Sequence, residues 1–172
     1  MKAWHFVGAK LRDGKPVPAD GVKLVWNGPL VMCELGLHAS LHPFDALQYA
    51  PGSTLCLVEC GGEMLHQEDK LVCRERTIIA RMDAEPMLRY FARMQALSVA
   101  HLWTPPDVVC DYLMTGEESI RAAAWAAAWD AARDAAWAAA GAAAWDDAWA
   151  AAWAAARSDF AALVNECFEA WL

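Results

Sequence analysis

The sequence predicts an α+β fold, with a small mixed β-sheet domain over residues 1–83 and an all-helical, Ala- and Trp-rich region over residues 84–172. Three observations predict it. Up to residue 83, short β-rich runs alternate with Gly and Pro, and beyond it apolar residues recur at helical spacing. From Ser119 onward the chain becomes a low-complexity tract in which a bulky or interrupting residue recurs at every fourth position of an Ala background. With 172 residues, 58% hydrophobic and 21% charged, the chain can bury the core of one globular domain with a helical annex, which excludes disorder for most of its length.

Lys2 to Val7, Val22 to Trp26, Leu30 to Cys33, Thr54 to Cys60 and Leu71 to Met82 are rich in β-branched and aromatic residues and bounded by turn formers, so each reads as a strand. Between the third and fourth, Pro43 to Ala50 reads as one short helix. Pro43 suits a first turn, helix formers follow, and Pro51-Gly52 stops it. Asp83 can cap a helix that tolerates Pro86 in its first turn and repeats Met87, Leu88, Phe91, Met94, Leu97 and Leu102 on one side. Thr104-Pro105-Pro106 ends it and starts a second helix through Tyr112 and Leu113, which should close near Gly116.

In the tail, Trp125, Trp129, Arg133, Trp137, Gly141, Trp145, Trp149, Trp153 and Arg157 are spaced by four. An α-helix turns about 100° per residue, so that spacing walks the bulky residue about 40° round the axis at each step, and one straight helix cannot bury six indoles. From Gly141 on, Trp145, Trp149, Trp153, Phe160, Leu163, Cys167 and Trp171 share a wedge about 80° wide, an ordinary core-facing stripe. A break near Gly141 and burial of the indoles, within the chain or in a homo-oligomer formed by the C-terminal helices, are therefore expected.

A formal charge of −8, from 14 Lys and Arg against 22 Asp and Glu, argues against nucleic-acid or membrane-surface binding, because both need basic patches. No apolar run long enough to span a bilayer escapes interruption by charges such as Asp130, Arg133 and Asp134. The start Met1-Lys2-Ala3-Trp4-His5 has no signal-peptide core, and six Cys without a Cys-x-x-Cys pair predict free thiols in a reducing cytosol and no metal site.

Chemistry concentrates in three segments. Gly36-Leu37-His38-Ala39-Ser40 is a strand with a polar ring residue, Asp45 to Ala50 a short helix ending in Tyr49, and Leu55 to Gly61 a buried strand running into a Gly-rich turn. Taken alone, His38 is read equally as a core histidine or a site residue, Tyr49 as packing or wall, and Glu75, between Arg74 and Arg76, as a solvated ion-pair partner or an acid.

The order of these segments resembles the core of the ADP-ribosyltransferase superfamily, on its poly-ADP-ribose polymerase and RNA 2′-phosphotransferase side. In that family a first strand ends in a ribose-contacting His, matched by Trp4-His5; a second carries a polar ring after Gly-hydrophobic, matched by His38 with Ser40 near it; an aromatic closes over nicotinamide, matched by Tyr49. The family's Glu at the entry to a late strand is matched by Glu75, ahead of Thr77-Ile78-Ile79. Phe6 after His5, where the family usually has Gly, and the short interval from His5 to Glu75 depart from the pattern. The resemblance implies an NAD+ pocket with His5, His38, Ser40 and Tyr49 as binding residues and Glu75 and His38 as catalytic ones, Glu59 being the alternative acid. Such a set suits C–N glycosidic cleavage, where a carboxylate steadies an oxocarbenium-like centre and an aromatic face holds the leaving base.

The chain is also similar to phage and prophage proteins that share Gly-Leu-His-Ala-Ser, Asp-Ala-Leu-x-Tyr-Ala-Pro-Gly and an Ala-rich tail. That resemblance implies a protein acting in the host cytoplasm. Three roles follow as expectations: an enzyme that cleaves or transfers from NAD+ to a host protein target, a silent pocket that sequesters an NAD-derived or cyclic nucleotide signal in counter-defence, and an inhibitor working by protein surface contact.

Overall fold

A computed structural model describes the backbone of residues 1–138 and 146–169 and the side chains of residues 1–131 and 152–169. The chain divides into two compact units: Met1–Glu85 with Arg157–Leu172, and Pro86–Ala156. The first boundary lies two residues from the expected one. The helical region itself does not stay together, because its last segment belongs to the first unit.

The first unit is built on a five-stranded antiparallel sheet of β1 (Lys2–Val7), β2 (Lys23–Val25), β3 (Leu37–Ala39), β4 (Thr54–His66) and β5 (Leu71–Asp83). The α+β class holds, and a mixed sheet is replaced by one in which every pairing is antiparallel. The β4–β5 hairpin, thirteen residues on each side, explains this, since consecutive strands joined by a tight turn at 67–70 must run in opposite directions. β4 continues past Gly61-Gly62 because a bulge between Gly61 and Met64 absorbs them, with Gly62 at φ +72°.

β1 pairs with the outer edge of β4, while β2 and β3 share the other edge of β5. Trp4 and Ser40 then exchange backbone hydrogen bonds of 2.7 and 2.9 Å, so β1, β4, β5 and β3 pair in a ring. Its apolar filling is Ala3, Val7, Ala39, Cys56, Val58, Cys60, Leu71, Cys73 and Ile78. All six cysteines are free, three of them buried here. The expected strand Leu30–Cys33 is instead a turn closed by Val31 and Leu35, because Cys33 at φ +67° cannot sit in a ladder.

Helix α1 (Pro43–Leu47) forms where Pro43 pre-sets the first turn. Its buried Phe44 meets Phe160 edge-on at 5.8 Å, and Trp4 meets Phe168 at 5.0 Å and 76°. The core face of the last helix is thus Phe160, Val164 and Phe168, each under 5% exposed, with the expected Leu163 and Cys167 on its flank. Phe160, Val164 and Phe168 are spaced by four, and Arg157, three residues before Phe160, extends the row by pairing with buried Asp45.

The second unit holds α2 (Glu85–Ser98) from Pro86 on, α3 (Asp107–Thr115), α4 (Arg121–Ala138) and the start of α5 (Asp146–Glu169). The expected start signal of α2 and stop signal of α3 both act. Asp83 Oδ1 accepts the Glu85 N–H at 3.0 Å, and Gly116 ends α3 in the left-handed region at φ +69°, its N–H bonded to the Tyr112 carbonyl. Helix α4 buries Ala124 and leaves Trp125 and Trp129 73% and 65% exposed, contrary to the expected burial of the indoles. The side chains of Trp137, Trp145, Trp149 and Trp171, and Gly141 with the break assigned to it, lie outside the described residues, and Trp153 of the expected stripe is 40% exposed. Among the described residues no helix is long and apolar enough to cross a membrane.

Candidate functional site

The first unit encloses a cavity of about 820 Å³, within the range of small-molecule sites. His5, His38, Ser40 and Tyr49 all line it, so four of the expected residues come together although they are spread over β1, β3 and the end of α1.

His38 shapes the wall. Its Nε2 accepts the N–H of Cys33 at 3.0 Å, and the ring also bonds the Gly36 backbone, so the imidazole pins the turn before β3. Gly36 is required there: at φ +119° a Cβ would strike Val72 and come within 2.9 Å of Leu30. Arg12 Nη1 reinforces the same turn by donating to the Cys33 carbonyl at 2.8 Å. Ser40 is buried, and its backbone pairing with Trp4 fixes β3 against β1. Tyr49 is half exposed at the rim; its hydroxyl donates to the Asp69 carboxylate and accepts from Lys70 Nζ at 3.0 Å, which ties α1 to the β4–β5 turn.

Among the described residues His5 has no hydrogen-bond partner that would commit its ring, and it is held uncharged. Burial is the main cause of a pKa well below the ordinary 6.5, with the charge of Arg76 and then His38 adding to it. His38 is lowered too, by burial first, then by Arg12, with Arg76 and Lys70 contributing and the Gly36 bond opposing.

These shifts have a thermodynamic consequence. Below about pH 6.5 the unfolded chain binds protons that the folded chain refuses, so stability falls on acidification by up to about 1.4 kcal/mol per pH unit for each histidine that stays neutral. Urea midpoints should drop between about pH 7.5 and about pH 5.5, and His5→Gln should flatten the slope. A midpoint that holds or rises over that interval would contradict the neutral pair.

Glu75 and Glu59 do not share this cavity. Side chains alternate along a strand, and Arg76, which faces the cavity, is paired with Cys60; Glu75 and Glu59 therefore project from the opposite side. There Glu75 Oε2 accepts Lys23 Nζ at 2.8 Å. The carboxylates that line the cavity are Asp13, already paired with Lys15 at 2.8 Å, and Glu34.

The cavity's cations are what residue-by-residue reading missed: Lys10, Arg12, Lys70 and Arg76. Arg76 had a visible signal, since it stands two residues before Ile78 and so in phase with the buried side of β5. Trp26 also lines the cavity, its Nε1 bonded to the Pro29 carbonyl at 2.8 Å. Among the described residues, no group of three or more His, Cys, Asp or Glu has the disposition of a metal site.

Comparison with the curated proteins and with the solved structures finds no match. The family described as Domain of unknown function (DUF7666) matches residues 1–90, which takes in all five strands and most of the cavity lining. Because that match covers more than half of the 172 residues, the chain belongs to the DUF7666 family.

Proposed function

We propose that the first unit is a nucleotide-binding domain of ADP-ribosyltransferase-like kind, which holds NAD+ or an NAD-derived or cyclic nucleotide without turning it over. The observation that carries this reading is the charge of the cavity. In a chain of net charge −8, its lining has four cations against two carboxylates, one of which is already paired with Lys15. An anionic ligand is the natural complement of such a lining. The face of Trp26 suits a base, Tyr49 at the rim having Lys70 Nζ over its ring at 4.6 Å, and the imidazole of His5 suits a ribose hydroxyl, as the family resemblance implies.

Binding is favoured over group transfer because Glu75 and Glu59 stand on the other side of the sheet, leaving the cavity without the acid that the resemblance assigns. In the phage setting suggested by the second resemblance, such a domain would sequester a nucleotide signal in the host cytoplasm. Calorimetry of the full chain with NAD+, ADP-ribose and cyclic nucleotides should give saturable binding of at least one of them, with no nicotinamide released from NAD+ beyond the buffer rate. Release that depends on the protein would revive the transferase, and no binding of any of them would remove the nucleotide.

A further inference from the structure

The most unusual group in the first unit is Arg76. It is 6% exposed, yet among the described residues its one hydrogen bond is donated by Nη1 to the His38 carbonyl, which leaves most of a five-donor fork uncommitted. No carboxylate faces it among the described residues; the thiols of Cys60, Cys73 and Cys56 lie near it, and burial works against its charge. Cys73 Sγ donates toward the Leu37 and Glu75 carbonyls at 3.2 and 3.1 Å, as a protonated thiol does, although the Cys60 hydrogen bond first, and then the charge of Arg76, lower its pKa from the ordinary 9.0 against the effect of burial. A buried cation without a counter-charge is costly, and an anionic ligand would offset that cost.

Two more cations converge on the same place. Arg76 bonds the His38 carbonyl, Arg12 bonds the carbonyl of Cys33, whose N–H His38 accepts, and Lys70 Nζ reaches the Tyr49 hydroxyl, so the three line the cavity around His38 and Tyr49. Arg12 spends Nη1 on the Cys33 carbonyl and has no carboxylate partner among the described residues. The acid nearest Lys70, Asp69, is 3.9 Å away and already accepts from Tyr49. A single carboxylate or a cyclic phosphodiester carries one negative charge, which Arg76 alone would balance. Three converging cations call for more.

The geometry points to a diphosphate-binding subsite formed by Arg76, Arg12 and Lys70, which makes the ligand a nucleoside diphosphate or a diphosphate-linked dinucleotide in preference to a cyclic mononucleotide. This rests on the nucleotide reading above and narrows it. Arg76 forms the buried end, presenting its fork to one phosphate, while Arg12 and Lys70 take the other nearer the rim. The base is then left to Trp26, since Lys70 Nζ already stands over the Tyr49 ring at 4.6 Å, and His5 faces the ribose.

Calorimetry on the full chain tests it with inorganic pyrophosphate, ADP-ribose, adenosine and cyclic AMP as probes. ADP-ribose and pyrophosphate should bind, and adenosine and cyclic AMP should bind at least about 30-fold more weakly than ADP-ribose, the effect expected from charge-assisted hydrogen bonds. Arg76→Gln should abolish pyrophosphate binding while keeping or raising the melting temperature, because it removes an unbalanced buried charge. Should that variant not fold, Arg12→Gln and Lys70→Gln decide, each expected to weaken ADP-ribose about 10-fold and to reduce the salt dependence of binding. ADP-ribose binding that is unchanged in the folded variants, or cyclic AMP binding as tightly as ADP-ribose, overturns the subsite and leaves the nucleotide reading standing. Pyrophosphate binding that depends on Arg76, with no nucleotide bound, upholds the anion site and overturns the nucleotide. No binding of any probe overturns both.

Discussion

Replacing Phe160 with alanine should cost about 3–5 kcal/mol, the range for removing a fully buried aromatic ring, and ending the chain after Ala156 should leave the first unit unable to fold on its own. Phe160 and Val164 are wholly buried and Phe168 nearly so, although all three belong to the part of the sequence that looks most like an appendage. Their contacts explain the size of the effect. Phe160 closes over Phe44 of α1 and Phe168 over Trp4 of β1, each pair in the edge-to-face arrangement that adds about 0.5–1.5 kcal/mol to the burial itself. A domain's whole margin is about 5–15 kcal/mol, so losing one ring takes a large share of it and losing the helix takes nearly all. Urea unfolding followed by tryptophan emission reads this out, and a chain ending at Ala156 with an unchanged cooperative midpoint would show that the helix is dispensable.

How this was legible in the sequence depends on what kind of signal each element carries. Strands β1 and β5 announce themselves by β-branched composition, and Pro43, Asp83 and Gly116 act locally as start and stop signals, so their places are legible; of β4 only Thr54 to Cys60 is, because Gly61-Gly62 reads as a turn where the strand carries on to His66 through a bulge. Leu30 to Cys33 was misread because its composition suits a strand, while its conformation is fixed by side chains from elsewhere, Arg12 and His38, which hold Cys33 by both its carbonyl and its N–H. No local pattern carries that information. The tail shows the same limit from the other side: helical periodicity gave an amphipathic face, but the choice between Leu163 and Val164 as its centre is made by Phe44 and Trp4, more than a hundred residues earlier.

The site divides in the same way. His5, His38, Ser40 and Tyr49 were placed together by order along the chain, and they do meet in one cavity. Glu75 was chosen by the same ordering, and there alternation along β5 decides against the cavity, since its neighbour Arg76 occupies the inward position. A single residue's phase on a strand reverses the chemical character of the pocket, from one with an acid at its centre to one with a cation. Composition hides this too, because an acidic chain gives no hint that its cations are gathered on one wall.

The second large effect concerns Asp45 and Arg157, the polar counterpart of the Phe160 packing. Asp45 is 4% exposed in α1, and both of its oxygens are taken by Arg157, from Nε at 2.9 Å and from Nη2 at 2.6 Å, across 112 residues of sequence. The two partners are not equivalent, since the side chain of Asp45 is 6% exposed and that of Arg157 34%. Arg157→Leu strands a carboxylate that water cannot reach and should cost about 3 kcal/mol or more, as breaking a buried pair does when one charge is left behind. Asp45→Asn leaves a guanidinium that can turn toward solvent, so its cost should be smaller, about 1–2 kcal/mol. The double variant should be less destabilised than the sum of the two, because no uncompensated charge remains. A double-mutant cycle in urea measures all three quantities. Equal losses below about 1 kcal/mol for both single variants would mean that the pair behaves like an ion pair on an open surface, and that the last helix is held by its aromatic rings alone.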